Sequence, residues 1–114
     1  MHSNQEIGKT TELKASYFLQ KNGLRLVTTN YQCRRGEIDL IMQDQCTLVF
    51  VEVRFRNNPY FGGAFASVDR KKQNRLRCAA QHYLLRYHSS KIPPCRFDVV
   101  GATTKNLVWL KDVF

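Results

Sequence analysis

The feature that most constrains the fold is a pair of apolar strands that carry carboxylates, in the segment GEIDLIMQDQCTLVFVEVRFR. Glu37 and Asp39 interrupt the first strand and Glu52 interrupts the second, although the chain has only nine acidic residues. An ionised carboxylate in a buried strand is costly unless a cation compensates its charge. That cation is either a basic side chain or a metal ion, and the strand pattern leaves both alternatives open.

The register of this hairpin decides how Asp39 and Glu52 face each other. The apolar positions of the two strands coincide only if the connecting loop has an even number of residues. A two-residue loop at Asp44 and Gln45 leaves Glu52 diagonal to Asp39, whereas a four-residue loop from Asp44 to Thr47 sets them directly opposite. Both registers hold the carboxylates on one face, with Cβ atoms roughly 5 to 8 Å apart. Two ligands of one cation need that separation.

Periodicity on the N-terminal side of the hairpin predicts a helix and a strand. The helix covers about residues 7–22 and ends at Gly23, because glycine commonly terminates helices. Its inward stripe combines a glycine, an acid and two apolar side chains: Gly8, Glu12, Ala15 and Leu19. A strand over residues 24–31 and a turn at residues 34–36 then lead into the hairpin.

Periodicity on the C-terminal side predicts a second helix and two more strands. The helix covers about residues 69–87 and is capped by Ser67 or Asp69. Its apolar stripe consists of Leu76, Ala79, Ala80, Tyr83, Leu84 and Tyr87. Lys72 continues that stripe, either at the edge of the core near the acids or as a surface lysine with a packed stem. The order αβββαββ predicts one α/β domain over residues 1–114, a mixed β-sheet flanked by helices.

The charge balance favours a polyanionic partner. Eighteen Lys and Arg residues against nine Asp and Glu residues give a net charge of +9 and a pI near 9.7. So large an excess on a small domain favours nucleic acid, although a basic protein that is merely soluble has the same composition. The basic residues lie within folded segments, which favours a shaped binding surface over a tail. The candidate contacts are Arg34, Arg35, Arg56, Arg70 and Lys71.

The sequence argues against membrane, secreted and zinc-binding proteins. The longest apolar runs, such as Leu48 to Val51, are far too short to span a membrane. The N-terminal segment MHSNQEIGKTTELK lacks the apolar core of a signal peptide, so we expect a cytoplasmic protein. The four cysteines are widely spaced without a C-x-x-C pair, which argues against a zinc site and, in a reducing compartment, against disulfides.

The acids and their basic neighbours suit phosphodiester chemistry. Mg²⁺ prefers oxygen ligands and is typically held by one or two carboxylates, with water and substrate phosphate completing its shell. Asp39 and Glu52 fit that pattern. Arg54 lies on the same strand face as Glu52, where it can steady an attacking water or developing charge. The alternative is a polar face on which the acids form salt bridges with Arg54, Arg56 or Lys72.

The motifs resemble those of one bacterial family, in the same order. GEIDLI, a turn and LVFVEVRFR, followed by FGGAFASV, KKQ and CRFDVV, look like the YraN family, and the resemblance covers essentially the whole chain. That family resembles the restriction-endonuclease-like nucleases of the PD-(D/E)XK superfamily and is distantly similar to archaeal Holliday-junction resolvases. The resemblance implies a restriction-endonuclease-like core that uses Mg²⁺ (or Mn²⁺) to hydrolyse phosphodiesters. The similarity to resolvases implies a homodimer and favours branched or structured DNA as the substrate, with RNA left open as the alternative.

The resemblance also assigns residues. Asp39 resembles the motif aspartate, Glu52 the second acid, and Glu12 an additional acid that some superfamily members contribute to the metal. Arg54 stands in the position of the motif lysine. Arginine keeps its proton, so it can orient a phosphate but cannot deprotonate water. Catalysis would then rely on metal-activated hydroxide or on Lys72.

Three functions agree with these observations. The first is a Mg²⁺-dependent endonuclease whose catalytic residues are Asp39, Glu52, Arg54 and Lys72. The second is a nucleic-acid-binding module of the same fold that has lost turnover at Arg54. The third is a protein-interaction subunit whose basic face docks an acidic partner.

Overall fold

The computed structural model describes residues 4–55 and 68–114, which form two helices and five strands. Their order confirms the predicted αβββαββ arrangement. Arg56, Ser67 and most of the FGGAFASV segment lie outside the described residues. The elements are α1 (Asn4–Lys21), β1 (Arg25–Cys33), β2 (Gly36–Asp44), β3 (Thr47–Phe55), α2 (Arg70–Tyr87), β4 (Cys95–Ala102) and β5 (Leu107–Leu110).

The five strands form one mixed sheet in the order β1-β2-β3-β4-β5. β3 and β4 are parallel, and the other neighbouring pairs are antiparallel. A parallel pair needs a long crossover between its two strands, and α2 lies in that crossover. The structure is therefore α/β, with the mixed sheet that the sequence predicts.

Apolar side chains cover both faces of this sheet. Along β3, Leu48 and Phe50 pack in the cluster that contains residues of α2, whereas Val49 and Val51 pack in the cluster that contains residues of α1. Successive residues of a strand point to opposite faces, so the two helices lie on opposite sides of the sheet. Burial on both sides explains why the central strands are almost continuously apolar.

The inward stripe and the C-terminus of α1 follow the prediction. Ala15 and Leu19 are fully buried against the central strands. Gly23 adopts a φ of 98°, and the amide of Leu24 donates to the carbonyl of Leu19 at 3.1 Å, which ends the helix in a Schellman motif. The stripe continues toward the N-terminus through the half-buried Glu12. α1 is therefore held against the sheet with an acid on its inner side.

α2 begins and packs as predicted, except at its last turn. The side chain of Asp69 caps the helix by accepting a hydrogen bond from the amide of Lys72 at 2.8 Å. Tyr87 lies at the outside of a ring cluster with Tyr31 and Tyr83 and is 56% exposed, so the buried stripe ends before it. The buried residues of the stripe are Leu76, Ala79, Ala80 and Tyr83.

A close backbone contact sets the distance between β2 and α2. A Cβ atom at Gly36 would collide with the carbonyl oxygen of Arg75, so the position accepts only glycine. The first residue of β2 therefore packs directly against the second turn of α2. This contact brings the first turns of α2 beside the acids of the hairpin.

Two further expectations concern membranes and cysteines. Within the described residues, no helix combines the length and apolar character needed to cross a membrane. Cys33 and Cys78 are half-buried, and Cys46 and Cys95 are exposed. All four are free thiols, as predicted.

Candidate functional site

The hairpin register sets Asp39 and Glu52 opposite each other. Antiparallel pairing begins at Asp44 and Thr47 and ends one position short of the two acids. Of the two predicted registers, this is the one with the acids directly opposite. The turn has two residues rather than four, because Asp44 and Thr47 also join the ladder.

The carboxylate of Asp39 takes over a backbone donor where the ladder ends. Its Oδ2 atom accepts a hydrogen bond from the amide of Val53 at 2.8 Å. β2 continues to Gly36 and β3 to Phe55, but beyond the acids each strand pairs only with its outer neighbour, β1 or β4. The sheet therefore opens between β2 and β3 at the place where the acids lie.

Glu52 is buried beside two cations without being hydrogen-bonded to either. The residue is 4% exposed. Its Oε2 atom lies 3.5 Å from Nζ of Lys72, and its Oε1 atom lies 3.6 Å from Nε of Arg54. Both distances exceed those of hydrogen bonds. Within the described residues, Oε2 of Glu52 and Nε of Arg54 are buried polar atoms that lack a hydrogen-bond partner.

The electrostatics of Glu52 reflect this burial. Desolvation, followed by the negative charge of Asp39, raises the pKa of Glu52 from its ordinary value of 4.5 to about 8. Lys72 and Arg54 lower the same pKa but do not offset the rise. Without a further cation, Glu52 is therefore largely protonated near neutral pH.

Glu12 approaches Asp39, and also Glu37, from α1. Desolvation and the charge of Asp39 raise the pKa of Glu12 to about 7. The side-chain amide of Asn30 bridges two acids, donating to Oε2 of Glu12 at 3.1 Å and to Oε1 of Glu37 at 3.2 Å. Asn30 has a φ of 50°, a left-handed conformation that asparagine tolerates better than most residues. Its contact with two acids gave no signal in the sequence pattern.

The donor set can be compared with the needs of a divalent cation. Among residues 4–55 and 68–114, no three His, Cys, Asp or Glu side chains form a group that could hold a metal ion. Glu12 lies close to Asp39. Within the described residues, however, Glu12, Asp39 and Glu52 do not form a three-carboxylate group that could hold one ion. Mg²⁺ commonly takes one or two protein carboxylates, and the unpartnered Oε2 of Glu52 beside Asp39 supplies that number. The residues present fit such an ion.

A cavity of about 490 Å³ lies between the β1–β2 turn and α2, and Glu37 and Lys72 are among its lining residues. Its basic lining comes from the β1–β2 turn, Arg34 and Arg35, and from α2, Lys72 and Arg75. Lys72 belongs both to this cavity and to the surroundings of Glu52. Arg75 was not singled out in the sequence, because its role depends on the contact between the two elements at Gly36.

The remaining candidate contacts with nucleic acid are placed differently. Arg70 and Lys71 are exposed on the first turn of α2 and do not line the cavity beside the acids. Arg56 lies outside the described residues. The structure thus brings Arg34 and Arg35 to the site and leaves Arg70 and Lys71 at its margin.

A larger cavity, of about 660 Å³, lies elsewhere. Its walls come from α1, the end of β3 and the β4–β5 connection, including Thr10, Lys14, Phe55 and Lys105. None of the candidate acids lines it. The smaller cavity is favoured because Lys72, one of its lining residues, lies 3.5 Å from Glu52, and a carboxylate with a perturbed pKa marks a functional site better than cavity size does.

A second buried acid, Asp98 in β4, is surrounded by donors. It is fully buried. Nε of Arg96 donates to its two carboxylate oxygens at 3.1 and 3.2 Å, and Nε1 of Trp109 and the amide of Asp112 each donate at 2.9 Å. Nη1 of Arg96 also donates to Oδ2 of Asp44 at 2.9 Å. Both oxygens of Asp98 are therefore engaged.

Comparison with known sequences matches one family along most of the chain. The model described as "Uncharacterised protein family UPF0102" matches residues 11–102. A UPF0102 protein of Nitrosococcus oceani is 49% identical over 116 residues, covering 98% of this chain and 94% of the relative. One from Janthinobacterium sp. is 51% identical over 110 residues, covering 96% and 88%. The matched range includes every candidate catalytic and metal-binding residue.

Proposed function

The chain belongs to the YraN (UPF0102) family, and we propose that it is a Mg²⁺-dependent endonuclease with a restriction-endonuclease-like core. One observation carries the proposal: beside Asp39, the buried Oε2 of Glu52 lacks a hydrogen-bond partner within the described residues. Buried charges are normally paired, hydrogen-bonded or bound to a metal. A cation between the two acids would satisfy that oxygen and remove the repulsion between the carboxylates.

Asp39 and Glu52 are the residues that would hold the ion, with Glu12 approaching from α1. The amide of Val53 fixes the carboxylate of Asp39, and burial restricts Glu52, so both are positioned in advance. Mg²⁺ or Mn²⁺ supplies Lewis-acid activation of water and phosphoryl oxygens. Glu52 must release its proton before it can serve as a ligand, because ligating carboxylates are ionised.

Lys72 and Arg54 are placed to orient a phosphate. They lie 3.5 and 3.6 Å from Glu52, so both can turn toward a phosphate without losing a short hydrogen bond to the acid. Arg54 keeps its proton and therefore contributes charge and orientation. Lys72 contributes a second positive charge, from the side of α2 and at the edge of the cavity that Arg34 and Arg35 line.

Nucleic acid is the proposed substrate, DNA rather than RNA and in branched or structured form. The net charge of +9 supports a polyanion, and the similarity of the family to Holliday-junction resolvases supports the DNA structure. A cytoplasmic location and a homodimer belong to the same proposal.

One observation favours a second function, nucleic-acid binding without turnover. The position of the motif lysine holds Arg54, and Lys72 and Arg54 already stand beside Glu52 as cations. In that case the basic side chains compensate the acid and no metal is required. A protein-interaction subunit, whose basic face docks an acidic protein, would bind no nucleic acid at all.

The decisive experiment measures cleavage of linear, flapped and four-way DNA, and of RNA, with Mg²⁺, Mn²⁺ or EDTA. We expect metal-dependent cleavage of a DNA substrate that Asp39→Asn and Glu52→Gln abolish. Asp112→Asn is the matched control, because Asp112 is an exposed acid away from the site and should keep full activity.

Each other outcome identifies one of the alternatives. Binding that is equally strong in the wild type and in Glu52→Gln, with no cleavage under any metal, would establish the binding module. Absence of binding to DNA and RNA at low salt would leave the protein-interaction subunit.

A further inference from the structure

Three arginines converge on the cavity beside the acids without an acidic partner. Arg34 and Arg35 come from the β1–β2 turn, and Arg75 comes from α2. All three are exposed, and none forms an ion pair with another residue in the described parts of the chain. Like charges that face one another unpaired repel, so the arrangement favours an anion between them.

The one acid in the cavity wall is engaged on its other side. Glu37 lines this cavity and also a second one, of about 510 Å³, together with Lys9 and Glu12. Its Oε1 atom accepts from the amide of Asn30, which lines only the second cavity. The first cavity therefore carries four cations and one acid, whereas the second carries one cation and two acids. A polyanion approaching the metal-free protein is attracted to the first.

The cavity is built by the fold rather than by chance surface charge. Gly36 follows Arg35 directly, and its contact with the Arg75 carbonyl accepts no side chain. The turn and the helix are consequently in close backbone contact at Gly36, and Arg34 and Arg35 line the same cavity as Arg75. Lys72, one turn earlier on the helix, joins the cavity to Glu52 at 3.5 Å.

We propose that Arg34, Arg35 and Arg75 form a phosphate subsite that holds the nucleic-acid phosphate next to the one at Asp39 and Glu52. This inference rests on the proposed function for its substrate, since nucleic acid supplies successive phosphates. Arginine suits such a subsite because its planar guanidinium binds phosphate oxygens through two parallel hydrogen bonds. The occupant is either an internal phosphate of the strand or its terminal phosphate.

The first test measures DNA binding in EDTA, so that it does not depend on cleavage. Each phosphate contact contributes close to one unit to the slope of log affinity against log salt. We expect Arg75→Ala to lower that slope by about one unit. Arg86→Ala removes an arginine from the same helix outside the cavity and should leave the slope unchanged. Equal effects of the two variants would overturn the subsite.

The second test uses inorganic phosphate and needs no nucleic acid. In a nitrogen-15 NMR titration with phosphate, the side-chain Nε signals of Arg34, Arg35 and Arg75 should shift together, and that of Arg86 should not. Gly36→Ala separates the turn from the helix and should weaken this response. If the arginine signals do not move, or Arg86 moves equally, the subsite is wrong even if the protein cleaves DNA.

The third test separates the two sources of phosphate. An oligonucleotide with a 5′-phosphate, the same strand without it, and a closed circle are compared in wild type and Arg75→Ala. Loss of affinity on all three substrates identifies an internal phosphate, whereas loss only on the phosphorylated strand identifies a terminal one. Loss on none of them contradicts the inference. If Arg75→Ala lowers DNA affinity in a protein that cleaves none of the substrates, the phosphate subsite is retained and the proposed nuclease activity is rejected.

Discussion

Two buried acids on adjacent strands of the same sheet have opposite surroundings. Asp98 in β4 pairs across the ladder with Val51, the residue before Glu52 in β3. Asp98 accepts hydrogen bonds from Arg96, Trp109 and the backbone, all within 3.2 Å. Glu52 has cations at 3.5 and 3.6 Å and an oxygen that lacks a hydrogen bond within the described residues.

The difference separates structural acids from candidate functional ones. A carboxylate whose oxygens are all engaged has its charge compensated by the fold, and nothing more can bind it without breaking those bonds. A buried carboxylate with only long ion contacts is unfavourable in its charged form, which raises the pKa of Glu52 to about 8. Burial alone does not distinguish the two acids, whereas their hydrogen bonds do.

The largest expected effect is the loss of stability when Asp98, whose carboxylate oxygens are both hydrogen-bonded, is replaced. Asp98→Asn removes one of the two carboxylates that pair with Arg96, the other being Asp44, and deprives several buried donors of their charged acceptor, which costs about 3 kcal/mol or more of the free energy of unfolding. Glu52→Gln replaces a carboxyl group that is largely neutral near pH 7.5 and whose Oε2 atom makes no hydrogen bond within the described residues, so it should change stability by about 1 kcal/mol or less. Urea denaturation of both variants at pH 7.5 measures the contrast. Equal losses would mean that Glu52 is also a structural ion-pair partner.

The second effect is the pH dependence of stability without metal. Glu52 has a pKa of 4.5 when unfolded and about 8 when folded, so the native state binds the extra proton between these values. Stability is therefore highest at the acidic end of this window and falls as pH rises through 8. The loss from Glu52 should be about 2 to 4 kcal/mol, and Glu12, whose pKa is raised to about 7, adds a smaller loss in the same window. Chemical denaturation at pH 5.5 and pH 9 in EDTA measures it.

The control for this pH dependence is Glu52→Gln. That variant should lose much of the fall, while Asp98→Asn should keep it if the variant folds. A wild-type protein that becomes more stable between pH 5.5 and pH 9 would contradict the assigned protonation of Glu52.

The elements of the fold could be predicted because their signals are local. Alternation identified β2 and β3, and the stripe of Ala15 and Leu19 identified the inner side of α1. The exact turn was harder, because one more backbone pair, Asp44 with Thr47, shortens the loop without changing the register. Local patterns therefore determine the elements and the face of the acids, and they leave the turn open.

The site was only partly predictable because its contacts are distant in sequence. The pattern brought Asp39 and Glu52 together and placed Lys72 near them, as the structure has it. Asn30 reaches the site through its left-handed backbone conformation in β1, and Arg75 reaches it through the contact of its carbonyl with Gly36. Neither feature produces a periodic pattern in the sequence. The roles of all these residues in metal binding and catalysis remain predictions.

The third effect is stabilisation by metal. If Asp39 and Glu52 bind Mg²⁺, an ion concentration tenfold above the dissociation constant should raise the free energy of unfolding by about 1.4 kcal/mol. The gain should grow from pH 6 to pH 9, because Glu52 must lose its proton to bind. Thermal melts with Mg²⁺ and EDTA measure it. Asp39→Asn and Glu52→Gln should abolish the gain, and Asp112→Asn should retain it.

The smallest expected effect on stability comes from Arg54→Lys, which introduces the lysine of the nuclease motif that the sequence resembles. Nε of Arg54 is buried without a hydrogen-bond partner within the described residues, and lysine has no atom equivalent to that donor. The variant therefore keeps the positive charge beside Glu52, removes an unsatisfied group, and should change stability by less than about 1 kcal/mol.

Turnover should be preserved or raised, because lysine can accept a proton where arginine cannot. Arg54→Met, which keeps the apolar stem without the charge, is the control and should lower turnover. If Arg54→Lys reduces metal-dependent cleavage while Arg54→Met leaves it unchanged, the position does not act in catalysis.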